Sequence, residues 1–338
     1  MKRSQITGAG LVLLAAGLAN SLPAMADGST KVSGKLYTDF SVLSTDGNSA
    51  GDGYGVDVKR FYFGADHKFD DQWSANITTD FTEDKTVGKT QVYIKKAYFQ
   101  VKLNDMATLR MGSADLPWIP YVEGIYGLRY IENTLTDWTK FGTSADWGLH
   151  LLGKNEMVDY QISVVNGKGY GDPSRSKSMD FSARVGFHPV DGLTLAIGAR
   201  SGKLGQDTEL TPTVNTATRL DLLAAYKTGP FAVGVEYFNA KNFTKAAVST
   251  GPEDKADGVS VFGSYEVNEG GKVFARFDTL KPSKDLNPTM KRTYFNLGYA
   301  WAPRKNVDLA FVYKNHKDEV LGTSVKSNEF GLWAQVKF

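Results

Sequence analysis

Residues 330–338 read Phe330-Gly331-Leu332-Trp333-Ala334-Gln335-Val336-Lys337-Phe338, a two-residue alternation that runs to the last residue. Chain ends are ordinarily frayed and polar. A terminal Phe in phase with Phe330, Leu332, Ala334 and Val336 predicts a strand with one apolar face. The other face carries Gly331, Trp333, Gln335 and Lys337.

The same period recurs upstream. Lys31–Leu43 sets Val32, Leu36, Phe40 and Val42 against Lys31, Ser33, Lys35, Asp39 and Ser41. Val56–Phe69 sets Phe61, Phe63, Ala65 and Phe69 against Arg60, Tyr62, Asp66 and Lys68. Similar segments begin at Gln72, Gln91, Ala107, Ala145, Met157, Ser178, Leu193, Thr218, Phe231, Gly258, Lys272, Lys291, Val307 and Lys326. The pattern predicts about sixteen strands. Their connections alternate in length. Short ones such as Asp70-Asp71, Asn104-Asp105, Gly229-Pro230 and Pro303–Asn306 carry strong turn residues. Longer polar stretches lie between them, near 44–55, 83–90, 115–143, 167–177, 204–217, 242–257, 281–290 and 317–325. This is the layout of an all-β, transmembrane, antiparallel up-and-down β-barrel.

A soluble β-sandwich would use strands of about 5–6 residues. These are nearly twice as long, matching the ~9–11 residues with which a tilted strand crosses hydrocarbon. Outward-phase aromatics Phe69, Trp73, Phe187, Tyr226, Phe231, Tyr265, Trp301 and Phe338 gather beside the short turns, where an interfacial girdle belongs. An open sheet edge in hydrocarbon costs several kcal/mol per unpaired group. Lys326–Phe338 is therefore expected to pair with Lys31–Leu43 and close the barrel.

At the other end, Lys2 and Arg3 precede an apolar run from Leu11 to Leu18 and the site Ala24-Met25-Ala26. Residues 1–26 read as a secretory signal peptide and 27–338 as the barrel domain. The run is too short for a transmembrane helix. Cleavage would remove two of the 39 basic residues and no acid, leaving as many bases as the 37 acids. Such a balance does not point to nucleic acid as a partner. The absence of cysteine excludes disulfides and thiolate metal sites, and no cofactor is expected.

Sixteen strands enclose more space than wall side chains can fill, hence a water-filled channel. The polar phase carries Lys35, Arg60, Asp80, Lys96, Arg110, Asp146, Asp180, Arg184, Arg200, Arg219, Glu236, Arg276 and Asp278 among others. The longest connection, 115–143, holds Trp118, Tyr121, Tyr126, Tyr130, Trp138 and Phe141. So many aromatics in a loop imply packing against something. The expectation is a third extracellular loop folded inward onto the barrel wall; packing on a neighbouring subunit is the alternative. Its acids Asp115, Glu123, Glu132 and Asp137 would then face the inward Arg and Lys of strands one to five. Opposed charges of this kind set up a transverse field across a constriction.

The layout resembles the sixteen-stranded general porin family of the Gram-negative outer membrane. "PYVEG" (Pro120–Gly124) is similar, in altered order, to the Pro–acid–aromatic–Gly signature of that family's constriction loop. "LRMGSADLPW" (Leu109–Trp118) resembles the strand-to-loop passage of phosphate-selective porin O/P-like relatives. The resemblance implies passive diffusion of small hydrophilic solutes and ions, a homotrimer in outer-membrane lipid, and Arg60, Lys96 and Arg110 as the basic cluster opposite the loop. It also implies that the terminal Phe338 strand is read by the barrel-assembly machinery. A channel selective for phosphate or other anions, or for sugars stacked on Trp118, Tyr121, Tyr126 and Tyr130, is the alternative. An outer-membrane enzyme fits less well. His67, His150, His188 and His316 lie on separate segments, G-x-S-x-G is missing, and no His pair has metal-ligand spacing.

Overall fold

In the segment Ala217–Thr228, Arg219 and Asp221 are 5% and 0% exposed, whereas Leu220 and Leu222 are 43% and 42% exposed. Charges inside and leucines outside invert the soluble pattern. The inversion makes sense only if the outer face meets lipid and the inner face meets water and other polar groups. The computed structural model repeats it around a closed wall. It describes residues 28–47, 49–84, 89–211, 214–243 and 251–338; the expected signal segment, 1–26, lies outside them. No helix among the described residues is long and apolar enough to cross a membrane.

The wall consists of sixteen strands. They are β1 (Ser29–Thr45), β2 (Gly53–Lys68), β3 (Trp73–Asp84), β4 (Lys89–Asn104), β5 (Ala107–Asp115), β6 (Ala145–Lys154), β7 (Val158–Val165) and β8 (Asp180–Phe187). Then follow β9 (Leu193–Gly202), β10 (Ala217–Thr228), β11 (Phe231–Lys241), β12 (Lys255–Asn268), β13 (Gly271–Lys281), β14 (Lys291–Arg304), β15 (Val307–Val320) and β16 (Thr323–Lys337). Each pairs antiparallel with its neighbours in sequence, and β16 returns to β1 with Lys35 opposite Lys337 and Thr45 opposite Ser327. The seam ends in a reciprocal pair: Gly34 N–H donates to Phe338 O at 2.7 Å and Phe338 N–H to Gly34 O at 3.0 Å. The Phe338 ring lies over Gly34, where a β-carbon would meet it at 2.1 Å. Trp333 and Gln335 are buried and Phe330 and Phe338 exposed, as the alternation requires.

Beside the short turns the outward aromatics pair. Phe231 and Tyr265 lie 4.8 Å apart, and Trp301 stacks between Tyr299 and Phe311. One connection departs from the sequence reading. The long loop expected near 317–325 is a two-residue hairpin, Leu321-Gly322, both at positive φ (51° and 80°). Two such residues suit the right-handed twist of a hairpin, so β15 and β16 stay paired up to Val320 and Thr323.

Besides three irregularities beside short turns, two bulges shape the middle of the wall. Register slips between Tyr37/Thr38 and Arg60/Val58, and between Thr78/Thr79 and Lys96/Ile94. Lys59 and Lys95 are the extra residues. A bulge lets two consecutive side chains share a face, so Lys95 turns inward beside Lys96 and is 7% exposed. Strict alternation would send it to lipid.

Candidate functional site

The β5–β6 connection contains two helices, α1 (Ile119–Tyr126) and α2 (Leu135–Trp138). Proline in the first turn of α1 sits where its missing N–H costs nothing. Gly127 ends it at φ 70°, its N–H donating to Glu123 O at 2.9 Å. Ile119, Val122 and Tyr126, at spacings of three and four, form one buried face.

That face packs on the polar phase of β8–β15, and named bonds fix it there. Arg184 Nε donates to Pro117 O at 2.9 Å and Arg276 Nη1 to Asn133 O at 2.7 Å; Arg219 donates to Phe141 O. In return Glu236 accepts from Trp118 Nε1 at 2.9 Å, and Asp278 from Trp138 Nε1 at 2.7 Å. The Trp118 ring fills the space over Gly198, where a β-carbon would meet it at 2.6 Å. Tyr121 lies 3.6 Å over the Arg184 guanidinium, Tyr126 packs edge-on against Phe262, and Phe141 lies 4.8 Å from Phe238. The wall's arginines are also neutralised by wall carboxylates. Arg276 meets Asp278 at 2.6 Å and Arg219 meets Asp221 at 2.7 Å. Both are i, i+2 pairs, which share one face of a strand. Arg184–Asp159 (2.5 Å) and Arg200–Asp180 (3.0 Å) bridge neighbouring strands.

The facing wall, from β16 through β1 to β5, differs. Lys35, Lys95, Lys96, Arg129 and Lys337 line a cavity of about 690 Å³ with Tyr37, Tyr62, Tyr98, Asp115 and Glu123. Lys96 pairs with Asp115 at 2.5 Å and Lys337 with Asp308 at 3.4 Å. Lys95 donates to Tyr62 Oη at 3.3 Å and lies 4.6 Å from that ring and 5.5 Å from Tyr170. Lys35 is partly desolvated and feels the like charges of Lys337, Lys96 and Lys95, with the opposite charge of Glu123 nearby. Neither Lys35 nor Lys95 forms an ion pair with a carboxylate among the described residues.

The expected charge pairing is realised only in part. Asp115 meets Lys96, but Glu132 goes to Lys314 (3.5 Å) and His316 (3.9 Å) of β15. Glu123 goes to Arg129 of its own loop at 2.5 Å, and Asp137 to the same Arg129 at 3.4 Å. The aromatic side chains draw the loop onto β8–β15, and of its acids only Asp115, at its start, forms an ion pair with a cation of β1–β5 among the described residues. Burial pushes Glu123 up from the ordinary glutamate value, with Arg129 opposing. Burial disfavours charge on Glu132 too, yet Lys314 and His316 bring it down to about 2. Arg60 meets Asp80 at 3.1 Å; Arg110 donates to Gln100 at 2.7 Å and lies over Tyr98, away from the loop acids. Trp118, Tyr126 and Tyr130 are buried, which takes their ring faces out of reach of a sugar. Lys95 escaped the sequence reading because a bulge has no signature in a two-residue period.

A family model described as Gram-negative porin matches residues 10–321. The chain belongs to that family. As a porin it is a channel of the Gram-negative outer membrane through which small solutes diffuse passively. Solved porins share the fold. The anion-selective porin from Comamonas acidovorans is similar with a TM-score of 0.71 at 13% identity, over 92% of this chain and 100% of that one. The outer-membrane channel DcaP of Acinetobacter baumannii gives 0.70 at 15%, over 94% and 100%. The trimer form of OmpT, an outer-membrane protein of Vibrio cholerae, gives 0.60 at 16%, over 93% and 100%. Among curated proteins none matches the sequence.

Proposed function

We propose that the β5–β6 loop narrows the channel from the β8–β15 side, that solutes pass along the β16–β5 wall, and that the passage favours small anions. The observation that carries this reading is the pair of ammonium groups without carboxylate partners, Lys35 and Lys95, on a cavity shared with Lys96, Arg129 and Lys337. A buried cation lacking a counter-charge is costly, and a mobile anion is the natural group to relieve it. The acids of the opposite wall are tied to arginines or to the loop, and so offer cations little in return. The likeness to an anion-selective porin agrees with this reading. Diffusion requires no chemical turnover. We further take the assembly to be a homotrimer, with the apolar outer phase against outer-membrane lipid and the Phe338 strand presented to the barrel-assembly machinery.

Reversal potentials of the purified porin in planar bilayers under a sodium chloride gradient test the selectivity. A potential on the chloride side is expected, and a potential on the sodium side would refute it. A bilayer that stays electrically silent would refute the channel itself.

A further inference from the structure

Three cations of the β1–β5 wall share an unusual neighbour. Arg60 Nη1 lies 3.3 Å from Tyr93 Oη, Lys95 sits against Tyr62 and Tyr170, and Arg110 lies 4.9 Å over Tyr98. Tyr93 and Tyr170 are themselves parallel, 5.8 Å apart with 8° between their planes. On the opposite wall tyrosines also touch arginines, but they belong to the loop or are buried, and the buried arginines Arg184, Arg200, Arg219 and Arg276 each have a carboxylate. Here Tyr62, Tyr93, Tyr98 and Tyr170 remain partly exposed. Lys95, more than nine-tenths buried, has tyrosines as its named partners. The cavity it lines lies within the ~300–1,000 Å³ range of small-molecule sites.

We propose that this face is a binding subsite for aromatic carboxylates, with the carboxylate at Lys95 and Lys35 and the ring against Tyr62 and Tyr98. The inference rests on the anion preference proposed above and names the solute class it serves. A chloride ion uses only the ammonium groups. An aliphatic acid of equal charge uses them too, but makes no ring–ring contact. An aromatic acid satisfies both, and the hydroxyl of Tyr62 adds a second donor beside the ammonium. Ring pairs add enough beyond plain burial to favour an aromatic solute by about fivefold.

The test uses the purified porin in planar bilayers carrying chloride current, with benzoate or cyclohexanecarboxylate added at equal concentration. These acids share charge and similar size but differ in the π-face. Benzoate is expected to reach half-block at about one-fifth the concentration of cyclohexanecarboxylate. Tyr62→Leu should bring the two values together, and Lys95→Met should weaken block by both. Tyr98→Leu gives a second route to the same loss if Tyr62→Leu does not fold. Equal block by the two acids in a chloride-selective channel overturns the subsite alone, as does a ratio that survives both tyrosine replacements. A channel selective for sodium overturns the anion reading, and the subsite with it.

Discussion

Arg276 and Lys95 both bring a buried cation to the inside of the barrel, 2% and 7% exposed. Arg276 is enclosed by Asp278, the rings of Tyr126 and Tyr294, and the carbonyl of Asn133. Lys95 has tyrosines and open space. The contrast extends to the walls that hold them. From β8 to β15 the buried arginines Arg184, Arg200, Arg219 and Arg276 are spent on carboxylates and on the loop, so that wall is mainly scaffold. From β16 to β5 Lys35 and Lys95 are left for whatever enters. A porin of balanced composition can thus be polarised inside, because selectivity depends on which charges remain unpaired rather than on their sum.

The contrast can be broken most severely at Trp118. Trp118→Ala removes a buried indole from over Gly198 and leaves Glu236 without its closest donor. A loss of ~3–5 kcal/mol is expected, seen as a lower unfolding temperature in detergent and as larger, noisier single-channel current. Unchanged conductance and stability would mean that β8–β15 does not anchor the loop. Gly198→Ala sharpens the point: it should destabilise the wild type and be tolerated once Trp118 is alanine. Next in size, Lys95→Glu should move the reversal potential strongly toward cations; a reversal potential that does not move would mean that Lys95 does not face the passage.

Acid comes third. Glu132 is depressed to about 2 from 4.5 because Lys314 and His316 outweigh the cost of its burial. Such a group contributes stability that is fully present above 4.5 and is lost as pH falls through about 2. Loop docking should therefore hold above that range and loosen within it, read as rising current noise; Lys314→Met should abolish this dependence. The smallest effect is expected from Arg110→Ala. Its partners are Gln100 and Tyr98, so a change of ~1 kcal/mol or less in stability and little change in reversal potential should result. A large shift in selectivity would bring Arg110 back into the constriction.

The wall was legible in the sequence because its signal is local. Alternation of side chains such as Leu220 and Arg219 follows from the backbone, and all sixteen strands could be read from it. The closing pair β1–β16 followed from the need to leave no edge. The first helix of the loop, which the alternation does not announce, has signs only at its ends, Pro120 at one and Gly127 at the other. What could not be read depends on distant partners. The space for Trp118 is made by Gly198, and nothing near either residue announces the other. The inward turn of Lys95 is set by how β3 slips against β4. The direction in which the loop leans, and therefore which of its acids meet which cations, follows from several such matches at once.

The seam between β1 and β16 also imposes an order on folding. Every other pair of adjacent strands is consecutive in the chain, whereas the seam joins residues such as Ser41 and Glu329, 288 positions apart. Each doubling of separation adds ~0.6 kcal/mol of chain entropy, so the seam costs ~3 kcal/mol more than a loop of about ten residues. Hairpins can zip early and add one by one, but the two outermost strands must wait for all the rest. Until they meet, both expose bare backbone that hydrocarbon cannot satisfy. The meeting of Gly34 with Phe338 is thus the step that commits the molecule. A chain cut short of its last strand would yield an open sheet with nowhere stable to go, rather than a smaller pore.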